Sequence, residues 1–397
     1  MKPAPRLLLD LTPLDTPSRP RGIGRYIRDL ATGLATLSRD ELGGLEILGL
    51  TSLDWWGNFT LTADIASYRG DPRLPKPTPS DYYRWAYRQR LVLWRAAMSA
   101  GAGAVHLCAP HATPLLLGLT GCRRIVTCHD LVPSRFPERY MNAKDGGAFV
   151  GKSIEKRRYR SADLVVAISD ATRDDVRALV GVPERRLVRV HNGVDVERWA
   201  SEPTVDSRAT LERLGLKRDF VLYVGACDWR KNVDGMLSGL ARARAQGLDV
   251  ELVWAGSLDD GNNATIDAEA ARFGVTDAVR RLGFVSDEDL SVLYRAARAH
   301  LFVSRYEGFG LTVVEAMAAG CPVITSSEGA LREVAGDAAL IVDPEDASAI
   351  GRAIVTLCQD EAQRAELVRR GRERAKLFSL RAQALAMAKV YRDFFGL

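Results

Sequence analysis

Short apolar runs alternate with segments of helical periodicity along the whole chain, and this alternation limits the fold more than any other feature. Continuous apolar runs bounded by Gly, Asp or Ser are typical of strands buried on both faces of a parallel sheet. Their alternation with helices predicts an α/β fold with doubly wound sheets. The runs are Arg6–Leu11, Leu45–Leu50, Ala104–Ala109, Arg123–Cys128, Leu164–Ser169, Leu187–Val190, Phe220–Gly225, Val250–Gly256, Val279–Phe284, His300–Ser304, Pro322–Ser326 and Ala339–Val342.

A chain of 397 residues is too long for one hydrophobic core and fits two domains of about 200 residues each. The polar stretch Ser201–Thr204 lacks apolar periodicity, and a new strand begins soon after it. We therefore predict a boundary there. The predicted parts are a first domain over 1–200, a linker over 201–217, a second domain over 218–379, and a C-terminal helix over 380–397 that packs back on the first domain.

The remaining composition is that of an ordinary globular protein, with 47% hydrophobic and 26% charged residues. No secretory signal is expected, because the start of the chain leads into only a short apolar run, Leu7–Leu9. No run approaches the roughly 18 apolar residues that span a bilayer. The six cysteines form no C-x-x-C pair, and the histidines are not spaced as zinc ligands. Reduced thiols, a cytoplasmic location and no resident metal are the expectation.

The net charge of +5 is unevenly distributed. Residues 1–200 carry 30 Lys and Arg against 21 Asp and Glu, whereas the rest carry 25 against 29. This asymmetry favours an anionic partner for the first half, such as a membrane surface or a phosphorylated acceptor. General arginine richness is the alternative interpretation. No nucleic-acid-binding motif accompanies the charge.

Aromatic and basic residues interleave over Asp81–Ala100. A helix of this composition could lie in a membrane interface at the inner face of the cytoplasmic membrane. Alternatively, the aromatic rings pack on the first domain while the arginine stems extend along its surface. Both interpretations stay open at the level of sequence.

The strongest functional signal is the segment Ser304–Leu311, which reads SRYEGFGL and precedes a helical stretch that holds Glu315. Its glycines allow a tight turn and close approach to a ligand. The start of the helix offers unpaired N–H groups and a positive dipole end, which suit a phosphate. The carboxylates of Glu307 and Glu315 instead suit hydroxyl groups of a sugar and a ribose, because each accepts several hydrogen bonds.

A second signal, Arg230 and Lys231, follows the first strand of the second half. Ligands bind beyond the carboxyl ends of parallel strands in such folds. Adjacent cations at that place would neutralise a diphosphate leaving group, where negative charge grows during glycosyl transfer. Arg can clamp two oxygens, while Lys acts as a compact point charge.

These two segments, at this separation, resemble the retaining glycosyltransferases of family 4, which have the GT-B fold. The resemblance extends over nearly the whole chain. The segment Cys128–Leu131, with Pro133 and Phe136–Glu138, resembles the mannosyltransferase-like branch of that family. Further segments resemble the family as a whole: Gly22–Tyr26, Ile168–Asp170, His191–Asp195 and Gly283–Asp287.

The resemblance implies two Rossmann-like domains that face each other across a cleft, the first binding the acceptor and the second the nucleotide sugar. It implies a metal-independent hexosyltransferase without a cofactor. The implied roles are Arg230 and Lys231 for the diphosphate, Glu307 for sugar hydroxyls, Glu315 for ribose, Val285 for the base, His129 for the donor sugar, Asp130 for substrate, the backbone of Phe309, Gly310 and Leu311 for sugar and phosphates, and Gly22 and Gly24 for close approach of the first domain.

Several alternatives stay open. Gly22 and Gly24 do not complete a dinucleotide fingerprint, so a dehydrogenase is disfavoured. His106 and His111 flank a strand end and are weaker candidates than His129. An epimerase or phosphorylase on the same fold, and a non-catalytic sugar-nucleotide-binding protein, are the rival functions.

The donor is expected to be GDP-mannose, with UDP-sugars as the alternative, and the acceptor a growing glycan or lipid-linked oligosaccharide. No D-x-D motif with the right strand context is present, and Asp259-Asp260 is interpreted as part of a polar loop. Same-face attack, in which the departing phosphate assists, is the implied retaining mechanism.

Overall fold

The computed structural model describes residues 4–15, 22–51, 58–70, 92–109, 121–141 and 147–397. The chain forms two compact units. Unit 1 comprises Met1–Gly193 and Leu380–Leu397, and unit 2 comprises Val194–Ser379.

Unit 1 is built on a seven-stranded sheet in the order β3-β2-β1-β4-β5-β6-β7. Neighbouring strands are parallel except for β2 and β3, which pair antiparallel at the edge. The central strands β1, β4 and β6 are almost completely buried, as their apolar runs require. The strands are β1 Arg6–Asp10, β2 Glu46–Thr51, β3 Thr60–Thr62, β4 Ala104–Leu107, β5 Arg123–Cys128, β6 Leu164–Ala167 and β7 Leu187–Arg189.

The helices of unit 1 connect these strands. The helix over 170–175 continues as a single π-helical turn over Val176–Val180, closed by Gly181 in the left-handed conformation. The helices are α1 Gly22–Ala35, α2 at 92–100, α3 Val132–Arg135, α4 Pro137–Tyr140, α5 Gly147–Arg160 and α6 Asp170–Asp175.

Unit 2 is built on a six-stranded parallel sheet in the order β10-β9-β8-β11-β12-β13. Strand β9 is fully buried, and the glycines that directly follow β8 and β9, like the glycine that ends β10, have positive φ angles. The strands are β8 Asp219–Val224, β9 Val250–Ala255, β10 Val279–Gly283, β11 Ala299–Phe302, β12 Val323–Ser326 and β13 Ala339–Val342. The helices are α7 Val196–Ala200, α8 Ser207–Arg213, α9 Val233–Arg244, α10 Asp260–Arg272, α11 Asp287–Ala296, α12 Leu311–Ala319, α13 Leu331–Ala335, α14 Ala347–Gln359 and α15 Glu361–Lys376.

The last helix, α16 (Leu380–Phe395), belongs to unit 1. Its buried face packs on α1, where Gly33 leaves no room for a side chain: a Cβ atom there would lie 2.7 Å from the Leu380 carbonyl oxygen. Tyr391 of α16 is fully buried. The chain therefore ends inside the unit in which it begins.

All twelve predicted strands are present, and the α/β fold class is confirmed. The strand Thr60–Thr62 was not predicted, because a three-residue, half-exposed edge strand leaves no apolar run. The units divide between Gly193 and Val194, upstream of the predicted linker over 201–217. The physical reason is that Trp199 is buried in unit 2, where its ring packs edge-to-face on the Tyr294 ring with centroids 5.7 Å apart.

Part of the predicted linker is also regular structure. Helix α8 covers Ser207–Arg213, and the Asp206 side chain caps it by accepting the backbone N–H groups of Arg208 and Ala209. An aspartate at this position satisfies N–H groups that have no partner inside the helix. The polar composition that indicated a linker thus belongs partly to a helix start.

Candidate functional site

The loops that follow the neighbouring strands β8 and β11 form the candidate donor site of unit 2. Arg230 and Lys231 lie on a short 3₁₀ turn after β8, and the Asp228 carboxylate caps this turn by accepting the Arg230 N–H at 3.1 Å. The Arg305 N–H donates to the Arg230 carbonyl at 2.7 Å. Because β8 and β11 pair in parallel, their carboxyl ends bring the two loops together.

Glu307 lies between the two cations. Arg230 Nη1 donates to one carboxylate oxygen at 2.7 Å, and Lys231 Nζ donates to the other at 2.6 Å. Glu307 is 7% exposed and Lys231 is 9% exposed. The three side chains form a cluster in which Arg230 is only partly buried, and Asp228 adds a second carboxylate 3.5 Å from Arg230, so that two negative charges balance the two positive ones.

The pKa values of this cluster follow from burial and mutual attraction. Burial alone raises the pKa of Glu307, but the charges of Lys231 and Arg230 outweigh it, so the pKa lies below its usual range. Burial lowers the pKa of Lys231, and Glu307 offsets part of that shift. Glu307 is therefore a carboxylate at neutral pH.

Asn232 fixes the loop of the two cations. It has a left-handed backbone with φ of 61°, and its fully buried amide donates to the carbonyls of Val303 at 2.9 Å and Pro344 at 2.8 Å. Gly235 makes room for this amide, since a Cβ atom there would lie 2.5 Å from it. Asn232 was not assigned a role from the sequence, although asparagine is among the few residues that tolerate this backbone conformation.

The loop of Glu307 is held from the other side by Gly329 and Ala330. The Ala330 N–H donates to the Glu307 carbonyl at 3.0 Å. Gly329 has a φ of 60°, and a Cβ atom at this position would lie 2.3 Å from the same carbonyl oxygen. No side chain fits there without moving Glu307.

Helix α12 begins directly after Gly310, which has a φ of 112° and serves as its N-cap residue. The Phe309 ring is buried and packs edge-to-face on the Phe378 ring, with centroids 5.6 Å apart. The predicted phosphate-binding backbone of Phe309, Gly310 and Leu311 is thus a helix N-terminus next to Glu307 in sequence.

The other residues predicted in the second half lie in two different environments. Glu315 is completely buried on α12, where the Tyr294 hydroxyl donates to its carboxylate at 3.3 Å. Val285 is partly buried and lies in the turn before α11, next to Phe284, which is 78% exposed. Their assigned contacts with ribose and base stay predictions.

Unit 1 holds the remaining predicted residues. Gly22 and Gly24 lie in the first turn of α1, so the glycine motif begins a helix. His129 directly follows β5, and its Nε2 lies 2.7 Å from the Cys108 carbonyl oxygen. Asp130 accepts the Val132 N–H at 3.2 Å. The site roles of these four residues also stay predictions.

Two other candidates from the sequence have limited structural description. His111 and residues 81–91 of the basic aromatic segment lie outside the described residues. Within helix α2, Trp94 is 40% exposed and Met98 is 54% exposed. In the described part of the chain, no helix is long and apolar enough to cross a membrane.

Metal-binding clusters are absent from the same described ranges. No group of three or more His, Cys, Asp or Glu residues there could hold a metal ion. Asp259, interpreted from the sequence as part of a polar loop, caps helix α10 by accepting the Asn262 N–H at 2.7 Å. All six cysteines are free thiols.

Two family models match the chain. The model described as Glycosyltransferase Family 4 matches residues 20–198, and the model described as Glycosyl transferases group 1 matches residues 210–374. O-antigen chain mannosyltransferase B of Escherichia coli is 33% identical over 271 residues, which cover 65% of this chain and 67% of that protein. The chain belongs to glycosyltransferase family 4.

Other relatives of this family member are similar over shorter parts. Mannosylfructose-phosphate synthase of Agrobacterium fabrum is 29% identical, with 55% of this chain and 50% of that protein covered. MMP alpha-(1->4)-mannosyltransferase of Mycolicibacterium hassiacum is 30% identical, with 60% and 56% covered. The matches thus span from half to two thirds of the length of these relatives.

Solved structures agree with the fold of this family 4 chain. Sucrose-phosphate synthase from Thermosynechococcus elongatus superposes with a TM-score of 0.76 at 23% identity, covering 99% of both chains. WaaG, a glycosyltransferase involved in lipopolysaccharide biosynthesis, superposes with a TM-score of 0.69 at 17% identity, covering 97% of this chain and 99% of WaaG. The fold is therefore GT-B, with two Rossmann-like domains.

Proposed function

We propose that this chain is a retaining, metal-independent hexosyltransferase that moves mannose from GDP-mannose to a growing glycan or lipid-linked oligosaccharide. The observation that carries the proposal is the contact of Glu307 with both Arg230 and Lys231, at 2.7 and 2.6 Å, at the carboxyl edge of the unit 2 sheet. Two cations converge there on one acceptor group, beside the N-terminus of α12.

The cluster suggests how a donor diphosphate would bind. A diphosphate carries more negative charge than the Glu307 carboxylate, so it would compete for Arg230 and Lys231. The N–H groups at the start of α12 would add further donors for phosphate oxygens. Glu307, released in part from the cations, could then accept hydrogen bonds from hydroxyl groups of the sugar.

This arrangement supports catalysis by leaving-group stabilisation. As the bond between the sugar and the β-phosphate breaks, negative charge grows on the phosphate, and the fixed charges of Arg230 and Lys231 would stabilise it. The departing phosphate oxygen would accept the proton of the acceptor hydroxyl, which attacks the same face of the sugar. The new bond would keep the anomeric configuration of the donor.

His129 would serve the sugar from unit 1. Its Nε2 faces a carbonyl oxygen, which can only accept, so Nε2 carries the proton. Burial lowers the pKa of His129, which keeps the ring neutral and leaves Nδ1 as an acceptor for a sugar hydroxyl. Gly22, Gly24 and Asp130 would complete the substrate site of this unit.

The names of the relatives favour mannose as the transferred sugar. Several of the similar proteins are named mannosyltransferases, among them an O-antigen chain mannosyltransferase. We therefore propose polysaccharide or O-antigen biosynthesis in the cytoplasm, at the inner face of the membrane. The segment Asp81–Ala100 would contact the membrane surface.

A UDP-sugar is the second candidate donor. Anabaena Alr3699/HepE, which was solved with UDP-glucose, has the same fold with a TM-score of 0.71 at 15% identity. A protein that binds sugar nucleotides without transferring sugar is the third candidate. The intact set of Arg230, Lys231, Glu307 and Glu315 favours an enzyme over a binding protein.

The direct test is sugar transfer with GDP-mannose, UDP-glucose, ADP-glucose and dTDP-glucose, each offered with mannose-terminated oligosaccharide acceptors. We expect an α-linked mannosyl product from GDP-mannose, identified by the anomeric coupling in its NMR spectrum. An inverted linkage would contradict the mechanism. Transfer from UDP-glucose alone would show that the donor is a UDP-sugar and not GDP-mannose. Release of free sugar without acceptor would favour another reaction class.

A further inference from the structure

A chain of buried hydrogen bonds runs through unit 1. The Tyr26 hydroxyl is 3.1 Å from the Thr127 hydroxyl, which is 2.8 Å from His106 Nε2. His106 Nδ1 is 2.6 Å from the Tyr391 hydroxyl. The four side chains are at most 1% exposed and come from α1, β5, β4 and α16. The chain therefore connects the C-terminal helix with the centre of the sheet.

Every member of this chain is neutral at pH 7. Burial lowers the pKa of His106 to about 3 and raises the pKa of Tyr26 and Tyr391. A neutral imidazole donates from one nitrogen and accepts at the other, so His106 passes the hydrogen bonding on in a single direction. A satisfied buried network of this kind holds its side chains in one arrangement.

The Tyr26 end of this row of hydrogen bonds contacts His129. The rings of Tyr26 and His129 pack edge-to-face, with centroids 4.8 Å apart and an interplanar angle of 86°. On the other side, His129 Nε2 is held by the carbonyl of Cys108, two residues after His106. The imidazole is thus fixed by a hydrogen bond at one nitrogen and by an aromatic contact on the ring.

We propose that Tyr26, Thr127, His106 and Tyr391 are positioning residues for His129. The chain holds the Tyr26 ring against the imidazole, so that Nδ1 keeps the direction in which it accepts a hydroxyl of the transferred sugar. This inference rests on the proposed function, in which His129 contacts that sugar. It also gives α16 a part in the reaction, through Tyr391, although this helix carries none of the predicted site residues.

Two variants interrupt the row of hydrogen bonds at different places and leave His129 itself unchanged. Tyr391→Phe removes the hydroxyl on α16, and Thr127→Val removes the hydroxyl between Tyr26 and His106. Met387→Leu is the matched control, since Met387 is also fully buried on α16 and is not part of the chain. All variants are assayed well below their unfolding temperatures, after circular dichroism has shown that they fold.

Two readouts separate positioning from simple stability. The first is kcat against KM for GDP-mannose, where we expect kcat to fall about tenfold and KM to stay within about twofold, since poor alignment costs rate more than binding. The second is the ¹⁵N NMR spectrum of the five histidines. The signals of His129 are assigned by their loss in His129→Gln. We expect them to shift in Tyr391→Phe and Thr127→Val and to stay in place in Met387→Leu.

Unchanged His129 signals and unchanged kcat in Tyr391→Phe and Thr127→Val would overturn the inference. An equal loss of kcat in Met387→Leu would also overturn it, because general packing of α16 would then explain the effect. The proposed function fails separately, by full transfer activity of Glu307→Gln. The NMR measurement needs no transfer activity. It therefore tests whether the hydrogen-bonded side chains hold His129 in place even if the proposed function is wrong.

Discussion

Burial of the charged side chains of Glu307 and Lys231 opposes folding, because each charge loses its hydration. Each brings a charge into a nearly buried place, and removing one partner leaves the other charge buried without compensation. A hydrophobic pair of similar size would fit such a place at less cost. Their presence at the carboxyl edge of a parallel sheet is therefore better explained by ligand binding than by stability.

Lys231→Ala should reduce kcat of transfer by about 100-fold or more, because one group that stabilises the leaving phosphate contributes about 2.7–4 kcal/mol to the barrier. Steady-state kinetics with the preferred donor measure the effect. Lys376→Ala is the control, since Lys376 is exposed and forms an ion pair with Glu373 on the same helix, away from the cluster. Full activity of Lys231→Ala would refute its assignment.

Glu307→Gln should also remove most of the transfer activity while keeping the shape of the side chain. An amide accepts hydrogen bonds at one oxygen only and carries no charge, so it holds sugar hydroxyls less well. Binding of inorganic pyrophosphate to this variant should be stronger, because Arg230 and Lys231 lose their competing carboxylate. Calorimetric titration measures it, and weaker pyrophosphate binding would contradict this account of the cluster.

Asn232 has a structural role that substitution should reveal. Asn232→Asp places a second acceptor opposite the carbonyls of Val303 and Pro344, which lie 2.9 and 2.8 Å from the present donor. We expect a loss of about 3 kcal/mol or more in the free energy of unfolding, since two buried hydrogen bonds disappear and a carboxylate is buried. Urea unfolding measures the loss, and a change below about 1 kcal/mol would show that the amide is not needed.

At the scale of elements, the site depends on loops that glycines shape. The loop after β11 reaches Glu307 and then turns into α12 through Gly310, while the loop after β12 supports it through Gly329. Both glycines have positive φ angles, which side chains disfavour. The strands set where these loops begin, and the glycines set how close they approach each other.

Gly329→Ala should reduce activity far more than its backbone strain alone would suggest. The added Cβ atom would lie 2.3 Å from the Glu307 carbonyl oxygen and push the loop away. Gly274→Ala is the matched control, with a similar φ of 69° and no atom within 4 Å of the added Cβ atom. Gly274→Ala should lose about 1–2 kcal/mol of stability from its left-handed backbone alone, whereas Gly329→Ala should lose more stability and most of its transfer activity. Equal activities would contradict the close fit around Glu307.

For the whole molecule, the fold was more predictable than the contacts within the site. A strand buried on both faces needs an uninterrupted apolar run, and such runs were visible for twelve strands. The motif residues were recognisable, yet Glu307 and Lys231 are 76 residues apart, and no local pattern shows that they touch. The contact of His106 with Tyr391, 285 residues away, is equally invisible in the sequence.

The pH dependence of stability should follow two buried histidines. Burial lowers the pKa of His300 to about 4 and of His106 to about 3, while unfolded histidine titrates near 6.5. The unfolded chain therefore binds more protons as the pH falls below about 6.5, and stability decreases by up to about 1.4 kcal/mol per pH unit for each histidine. The pKa of Glu307 is lowered in the folded protein, so its carboxylate also stabilises the fold. That contribution is lost at lower pH, as the pH falls through the pKa that Glu307 has in the folded protein.

Urea unfolding at pH 7, 6 and 5 measures this slope. His300→Asn should flatten it, because the buried imidazole and its bond to the Leu222 carbonyl at 3.0 Å are removed. His191→Asn is the control, since the ring of His191 is only partly buried. An unchanged slope in His300→Asn would show that this histidine does not govern the acid sensitivity.

The central claim is that Arg230, Lys231 and Glu307 form the diphosphate site of a nucleotide-sugar donor. The most direct measurement is a thermal shift of the wild-type chain and of Lys231→Ala with GDP, UDP, ADP and dTDP. One nucleotide, expected to be GDP, should stabilise the wild type by about 2.7 kcal/mol at 100 times its dissociation constant, and Lys231→Ala should lose most of this shift. No shift with any of the four nucleotides, or an equal shift in Lys231→Ala, would contradict the claim.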